Sequence, residues 1–190
     1  MMKLRFIFAI AASAGLFATP AMAVTTTGTV AVTLTLTNGC LVNGSPAQTG
    51  VNFGSLNFGT SVATFDTLSA SFTGGGTGGN TFNVQCTAGA SYTVALTSSL
   101  NAAPTTVYGT VGTPGRYLIS PTATTQGIAY SVYGTSAMTT ALANGATLTA
   151  VSTSGNTSSY ALWGKIVGVA NSTNVLAGAY ADTLNITITY

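Results

Sequence analysis

The side chains that move protons or attack carbonyl carbons are almost missing from this sequence. It contains no histidine, which removes the commonest general base and every Ser–His or Cys–His pair. Asp66 and Asp182 are its only carboxylates, and a facing pair of carboxylates is what glycoside hydrolysis needs. Asp182, however, interrupts the apolar face of an alternating C-terminal run. A carboxylate there is expected to accept backbone N–H bonds, or to pair with Lys165 or Arg116, rather than to catalyse. Cys40 and Cys86, with no histidine beside them, do not make a zinc site. The stretch Gly74, Gly75, Gly76, Thr77, Gly78, Gly79 lacks the Gly-Lys-Ser/Thr ending of a phosphate-cradling loop and reads as a flexible connector. Trp163 and the eight tyrosines could stack on sugars, but isolated aromatics in a strand-rich chain are more often core or rim. No catalytic, cofactor or metal residues are expected, and the chain is not expected to be an enzyme.

The elements that could carry a function begin after a leader. Lys3 and Arg5 precede an apolar run from Phe6 to Leu16, and Ala21-Met22-Ala23 supplies a small-x-small cleavage site. Residues 1–23 therefore read as a secretory signal, too short to span a bilayer. Without them the charged residues are Arg116 and Lys165 against Asp66 and Asp182, a balance of zero. Two cations cannot neutralise a run of phosphates, so nucleic acid is not an expected partner. Soluble domains usually carry about a quarter charged residues, and a surface of Thr, Ser, Asn, Gly and Ala gives little protection against self-association. An assembled or wall-like role suits such a chain. Removing 23 of the 190 residues leaves 167, ample for one domain with a core. An exported chain meets an oxidising compartment, so Cys40 and Cys86 are expected to form one intramolecular disulfide, with free thiols or intermolecular bridges as the alternatives. Closing that loop is worth about 4 kcal/mol in the chain-entropy model.

Alternation with period two is the dominant pattern, and it predicts strands. Val30, Val32, Leu34 and Leu36 alternate with small, mostly polar residues over 29–37, stopping at the turn dipeptide Asn38-Gly39. Tyr180, Leu184, Ile186, Ile188 and Tyr190 share one face of the C-terminal run. Shorter strands are expected at 82–86, 92–97, 116–120, 128–133, 147–151 and 160–169, with longer loops at 102–115 and 134–145. Short strands at this spacing predict an all-β sandwich or barrel. The leading run could be the first strand of a closed sandwich. It is also uncharged and free of proline, which is what adding a strand to another molecule's edge requires.

Several features together resemble the spore coat protein U family, whose members include subunits of archaic chaperone–usher pili such as the Csu pilus. They are Cys40 after the alternating run, Phe53-Gly54, Leu56-Asn57-Phe58-Gly59 and Val84-Gln85-Cys86. The others are Ile128-Ala129-Tyr130-Ser131-Val132-Tyr133, Trp163-Gly164-Lys165-Ile166 and the run from Gly178 to Tyr190, which contains Tyr180, Asp182 and Leu184. The resemblance implies an incomplete immunoglobulin-like β-sandwich lacking its last strand, formed by residues 38–190. On that resemblance residues 24–37 are a donor segment, with Val30, Val32, Leu34 and Leu36 as donor residues. Leu184, Ile186, Ile188 and Tyr190 wall the acceptor groove, the C-terminal strand ending flush at Tyr190. Identical or related subunits, a periplasmic chaperone and an outer-membrane usher are the implied partners, and adhesion and biofilm formation the implied roles of the fibre. Room for one domain favours a shaft or minor subunit over a tip adhesin. Two other readings fit a signal and alternating strands: a small outer-membrane β-barrel, and a secreted coat or sugar-binding protein.

Overall fold

The computed structural model describes residues 24–76, 78–169 and 172–190; the expected signal, 1–23, lies outside them. By their contacts the residues divide into a unit ending at Thr35 and a body from Leu36 to Tyr190. Residues 24–35 carry no regular secondary structure.

The body is built from thirteen strands, and no helix occurs among the described residues. They are β1 (Cys40–Val42), β2 (Gly54–Leu56), β3 (Leu68–Gly74), β4 (Phe82–Cys86), β5 (Thr93–Ser99), β6 (Thr106–Tyr108) and β7 (Arg116–Ser120). They continue as β8 (Ala123–Tyr133), β9 (Ala146–Thr147), β10 (Ser152–Ser154), β11 (Thr157–Tyr160), β12 (Trp163–Ile166) and β13 (Leu184–Thr189).

Several short strands are halves of longer ones. Along the run from β11 into β12, Tyr160 faces Phe82 of β4 and Trp163 faces Ser71 of β3. The Phe72 N–H donates to the Leu162 C=O between those pairs, at 2.9 Å. β3 and β4 thus form one line interrupted by a glycine-rich excursion. β1 and β2 form a second interrupted line, Val42 facing Val84 and Gly54 facing Gly74. Asn43 stitches the two interruptions together. Its Oδ1 accepts from the Asn83 N–H at 2.8 Å, and its Nδ2 donates to the Phe53 C=O at 3.3 Å. It adopts φ 49°, which asparagine tolerates better than most residues.

One layer is therefore ordered β1/β2, β4/β3, β11/β12, β8, with β10 beyond β11 and both β6 and β7 on β8. The second layer is β13-β5-β9. Counting composite strands along the chain, the first, second, fifth and fourth share one layer, and the third and sixth share the other. That is the order of an immunoglobulin-like sandwich up to its sixth strand. Between the layers lie Phe82, Val84, Val94, Leu96, Val132, Leu162 and Ile166, all essentially inaccessible. Phe82 meets Phe53 and Phe72 edge-on and stacks on Tyr160. Among the described residues the sheets are open, with edges at β1, β2, β6, β9, β10 and β13, Val42 at the β1 edge bonding Ser45, so the structure is not a barrel.

Most expected strands occur. The segment expected at 147–151 instead falls largely between β9 and β10, and that expected at 160–169 is divided between β11 and β12. Inside the expected loop at 102–115, β6 pairs in parallel with β8. The C-terminal strand begins at Leu184, after Tyr180, whose hydroxyl donates to the Leu176 C=O at 2.8 Å.

Candidate functional site

Among the described residues β13 pairs on one side only, with β5. Its residues alternate, with Leu184, Ile186 and Ile188 half-buried and Asn185, Thr187 and Thr189 exposed. Beside its free edge runs a groove whose far lip is β1, the excursion after it, and β2. Near Tyr190 the groove opens into a hollow of about 670 Å³ bounded by Cys40, Val42, Val51 and Phe53. Toward Asp182 it continues as a narrower hollow of about 360 Å³ between β2 and Leu184. Phe72, Leu118, Tyr130 and Leu162 lie at its base, so this part reaches the core. Apolar core side chains beneath an unfilled slot between two free edges are what remains when a sandwich lacks one strand. The slot lies where the seventh strand of the immunoglobulin order belongs.

Leu184, Ile186, Ile188 and Tyr190 all line this groove. Val30, Val32, Leu34 and Leu36 lie in or just beyond the N-terminal unit and are 88%, 91%, 81% and 82% exposed. Four large apolar side chains alternating in sequence, each bare, are costly in water at about 1.5–3 kcal/mol apiece. The groove's second lip escaped the sequence reading. Val51, Phe53, Leu56 and Phe58 were its only signal, and glycines break their alternation.

Asp182 anchors the groove's deep end. Its Oδ1 accepts from the backbone N–H groups of Leu100 (3.2 Å), Asn101 (3.0 Å) and Thr183 (2.8 Å). Its Oδ2 accepts the Tyr130 hydroxyl at 2.7 Å. The carboxylate therefore ties the start of β13 to the end of β5 and to β8. Among the described residues no ion pair joins it to Arg116 or Lys165; backbone and phenol donors take that place. Arg116 is wholly buried, donating to the Leu142 C=O at 3.0 Å and to Asn144 Oδ1 at 2.9 Å. Burial lowers its pKa, which the fields of Tyr130 and Asp182 partly offset. Burial, then the bond to Asp182, raises the Tyr130 phenol far above its usual range. Burial and a hydrogen bond with Tyr92 push Tyr160 up to about 12. Asp66 accepts the Thr67 hydroxyl at 3.1 Å. Among the described residues no group of three potential metal ligands comes together.

Cys40 and Cys86 are joined by the expected disulfide, across the facing positions of β1 and β4.

A model of the Spore Coat Protein U domain matches residues 26–187. No curated protein matches the chain. Among solved structures, the chain is similar to one in a CsuC–CsuE chaperone–tip adhesion subunit pre-assembly complex from archaic chaperone–usher Csu pili of Acinetobacter baumannii. The two are 18% identical with a TM-score of 0.45, the match covering 82% of this chain and 40% of the other.

Proposed function

This chain belongs to the Spore Coat Protein U domain family, and from that premise we propose that it is a structural subunit of a surface fibre of the archaic chaperone–usher kind. It polymerises by donor-strand complementation, a recognised form of strand addition to a free edge. The observation that carries this reading is the groove between the free edges of β13 and β1/β2, floored by core residues. Residues 24–37 are the donor segment, and Val30, Val32, Leu34 and Leu36 of one copy fill the groove of the next. Leu184, Ile186, Ile188 and Tyr190 wall the groove, and residues 38–190 form the pilin-like body.

Residues 1–23 direct the chain to the periplasm, where a chaperone occupies the groove. An outer-membrane usher then exchanges the chaperone for the next subunit's segment. Ladder bonds at about 0.5–1.5 kcal/mol each and apolar burial together oppose the cost of ordering the segment, about 1–2 kcal/mol per residue. The assembled fibre serves adhesion and biofilm formation, with no enzymatic step and no nucleic-acid partner.

Two variants test the reading. Deleting residues 28–37 is expected to abolish polymers seen by gel filtration and electron microscopy, and polymers that persist would rule the segment out as donor. Appending a second copy of residues 24–37 after Tyr190, through a flexible linker, is expected to yield a soluble monomer. An appended segment that alters neither stability nor assembly sinks the incomplete-sandwich idea.

A further inference from the structure

The body of the chain carries the root of its donor segment to the mouth of its own groove: Thr37, Gly39, Thr87 and Tyr190 border one hollow. A segment rooted there has two destinations, the groove of the same chain and that of another. Asn38 and Gly39 separate Thr37 from β1, and Asn-Gly is the natural pair for a two-residue hairpin turn. Folding back through that turn would set Thr37 opposite Cys40, Leu36 opposite Leu41 and Thr35 opposite Val42. Cys40 and Val42 line the groove whereas Leu41 does not. Opposite residues share a face, so this turn would bring threonines inward and leave Val30, Val32, Leu34 and Leu36 in water.

A loop longer by one residue reverses every side chain. Thr37-Asn38-Gly39 as a three-residue loop would place Leu36 opposite Cys40 with the apolar face inward, and Leu34 beside Val42, whose N–H and C=O on that edge are bonded to Ser45. Such loops end on a residue in the left-handed conformation, which here would be Gly39. Gly39 is not left-handed in the structure. Its C=O accepts the Thr87 N–H at 2.9 Å, extending the β1–β4 ladder by one position. Its N–H donates to Thr87 Oγ1 at 3.0 Å, and the same hydroxyl donates to its C=O at 3.2 Å.

We propose that Thr87 is a specificity-determining residue that reserves the groove for the N-terminal segment of a second copy. By holding Gly39 in the ladder it closes the three-residue loop through which the chain's own segment would enter in register. This rests on the reading of the groove given under the proposed function. Thr87 is exposed, and a Cβ at Gly39 meets nothing within 4 Å, so both positions accept substitution without disturbing the core.

The test expresses the full chain in a bacterial periplasm as wild type, Thr87→Val, Thr87→Ser, Gly39→Ala and the Thr87→Val/Gly39→Ala double variant. Gel filtration gives the monomer-to-polymer ratio, and hydrogen exchange of the 185–189 amides in the monomer fraction reports whether the groove is filled. Thr87→Val is expected to raise the ratio about tenfold, from the loss of two hydrogen bonds, and to protect those amides. Thr87→Ser should match wild type. Adding Gly39→Ala should reverse both effects, because alanine resists the left-handed conformation. The proposal is overturned if Thr87→Val matches wild type in both readouts, or if Gly39→Ala fails to reverse its monomer excess. If wild type forms no polymer while the Thr87→Val monomer gains protection, the clamp stands and the fibre reading falls. If wild type polymerises and no variant shifts either readout, the fibre reading stands and the clamp falls.

Discussion

Tyr130→Phe removes one hydroxyl and takes from Asp182 Oδ2 the donor it has at 2.7 Å. A half-buried carboxylate that loses a phenol partner is expected to destabilise the body by about 1–3 kcal/mol. A thermal midpoint within a degree of wild type would contradict that. The same phenol bears on alkaline stability. Tyr130 and Tyr160 both titrate above the usual tyrosine value of about 10 when folded. Above that pH the unfolded chain releases protons that the folded chain keeps, so stability is full below about pH 10 and falls as pH rises toward 12 and beyond. Urea midpoints between pH 8 and 12 measure the fall, and Tyr130→Phe should make it shallower. At this scale the sequence was informative about Asp182: its position at a strand start pointed to backbone acceptance or a pair with Lys165 or Arg116, and the first occurs. Its phenol partner is 52 residues away along the chain, which no local pattern reveals.

Gly164 shows how an element depends on a missing side chain. A Cβ there would lie 2.7 Å from both Leu56 and Phe58, so β12 is roofed by the residues that form the groove's second lip. Gly164→Ala is expected to cost about 1–3 kcal/mol and to loosen that lip. Faster exchange at 54–58 is the readout, and unchanged exchange would show that the roof is free to shift. Cys40→Ser with Cys86→Ser is expected to cost about 2–5 kcal/mol, measured by urea unfolding, most visibly in the three-residue β1. Strands with several alternating residues on one face, such as β4, β5 and β13, were legible in the sequence. The β1/β2 and β3/β4 lines were not, because each is cut by an excursion after three to seven residues. Their continuity exists only through their partners. The groove was reached only through the family resemblance, for a related reason: alternation marks a strand's faces but not which of its edges stays unpaired.

The charge deficit of the whole molecule acts on assembly. No side chain of 24–37 is charged, and among the described residues Asp182 is the one ionic side chain lining the groove. On the proposed reading, polymerisation driven by apolar burial and main-chain bonds should therefore respond weakly to screening. Between about 0.05 and 0.5 M sodium chloride the rate, followed by light scattering, is expected to change by less than about twofold. A steep fall would point to ionic steering that this charge distribution does not supply. The disulfide adds a mechanical consequence. On the proposed donor reading, a pull on residues 24–37 would meet the β1–β4 ladder at Gly39, one residue before Cys40, and would cross through sulfur to Cys86 at the end of β4. The three-residue ladder of β1 would thereby be relieved of tension, which would pass into β4, flanked on both sides by β1 and β11. In a fibre under load the covalent link would hold at this root, and the first joint to yield would be the non-covalent seam along β13.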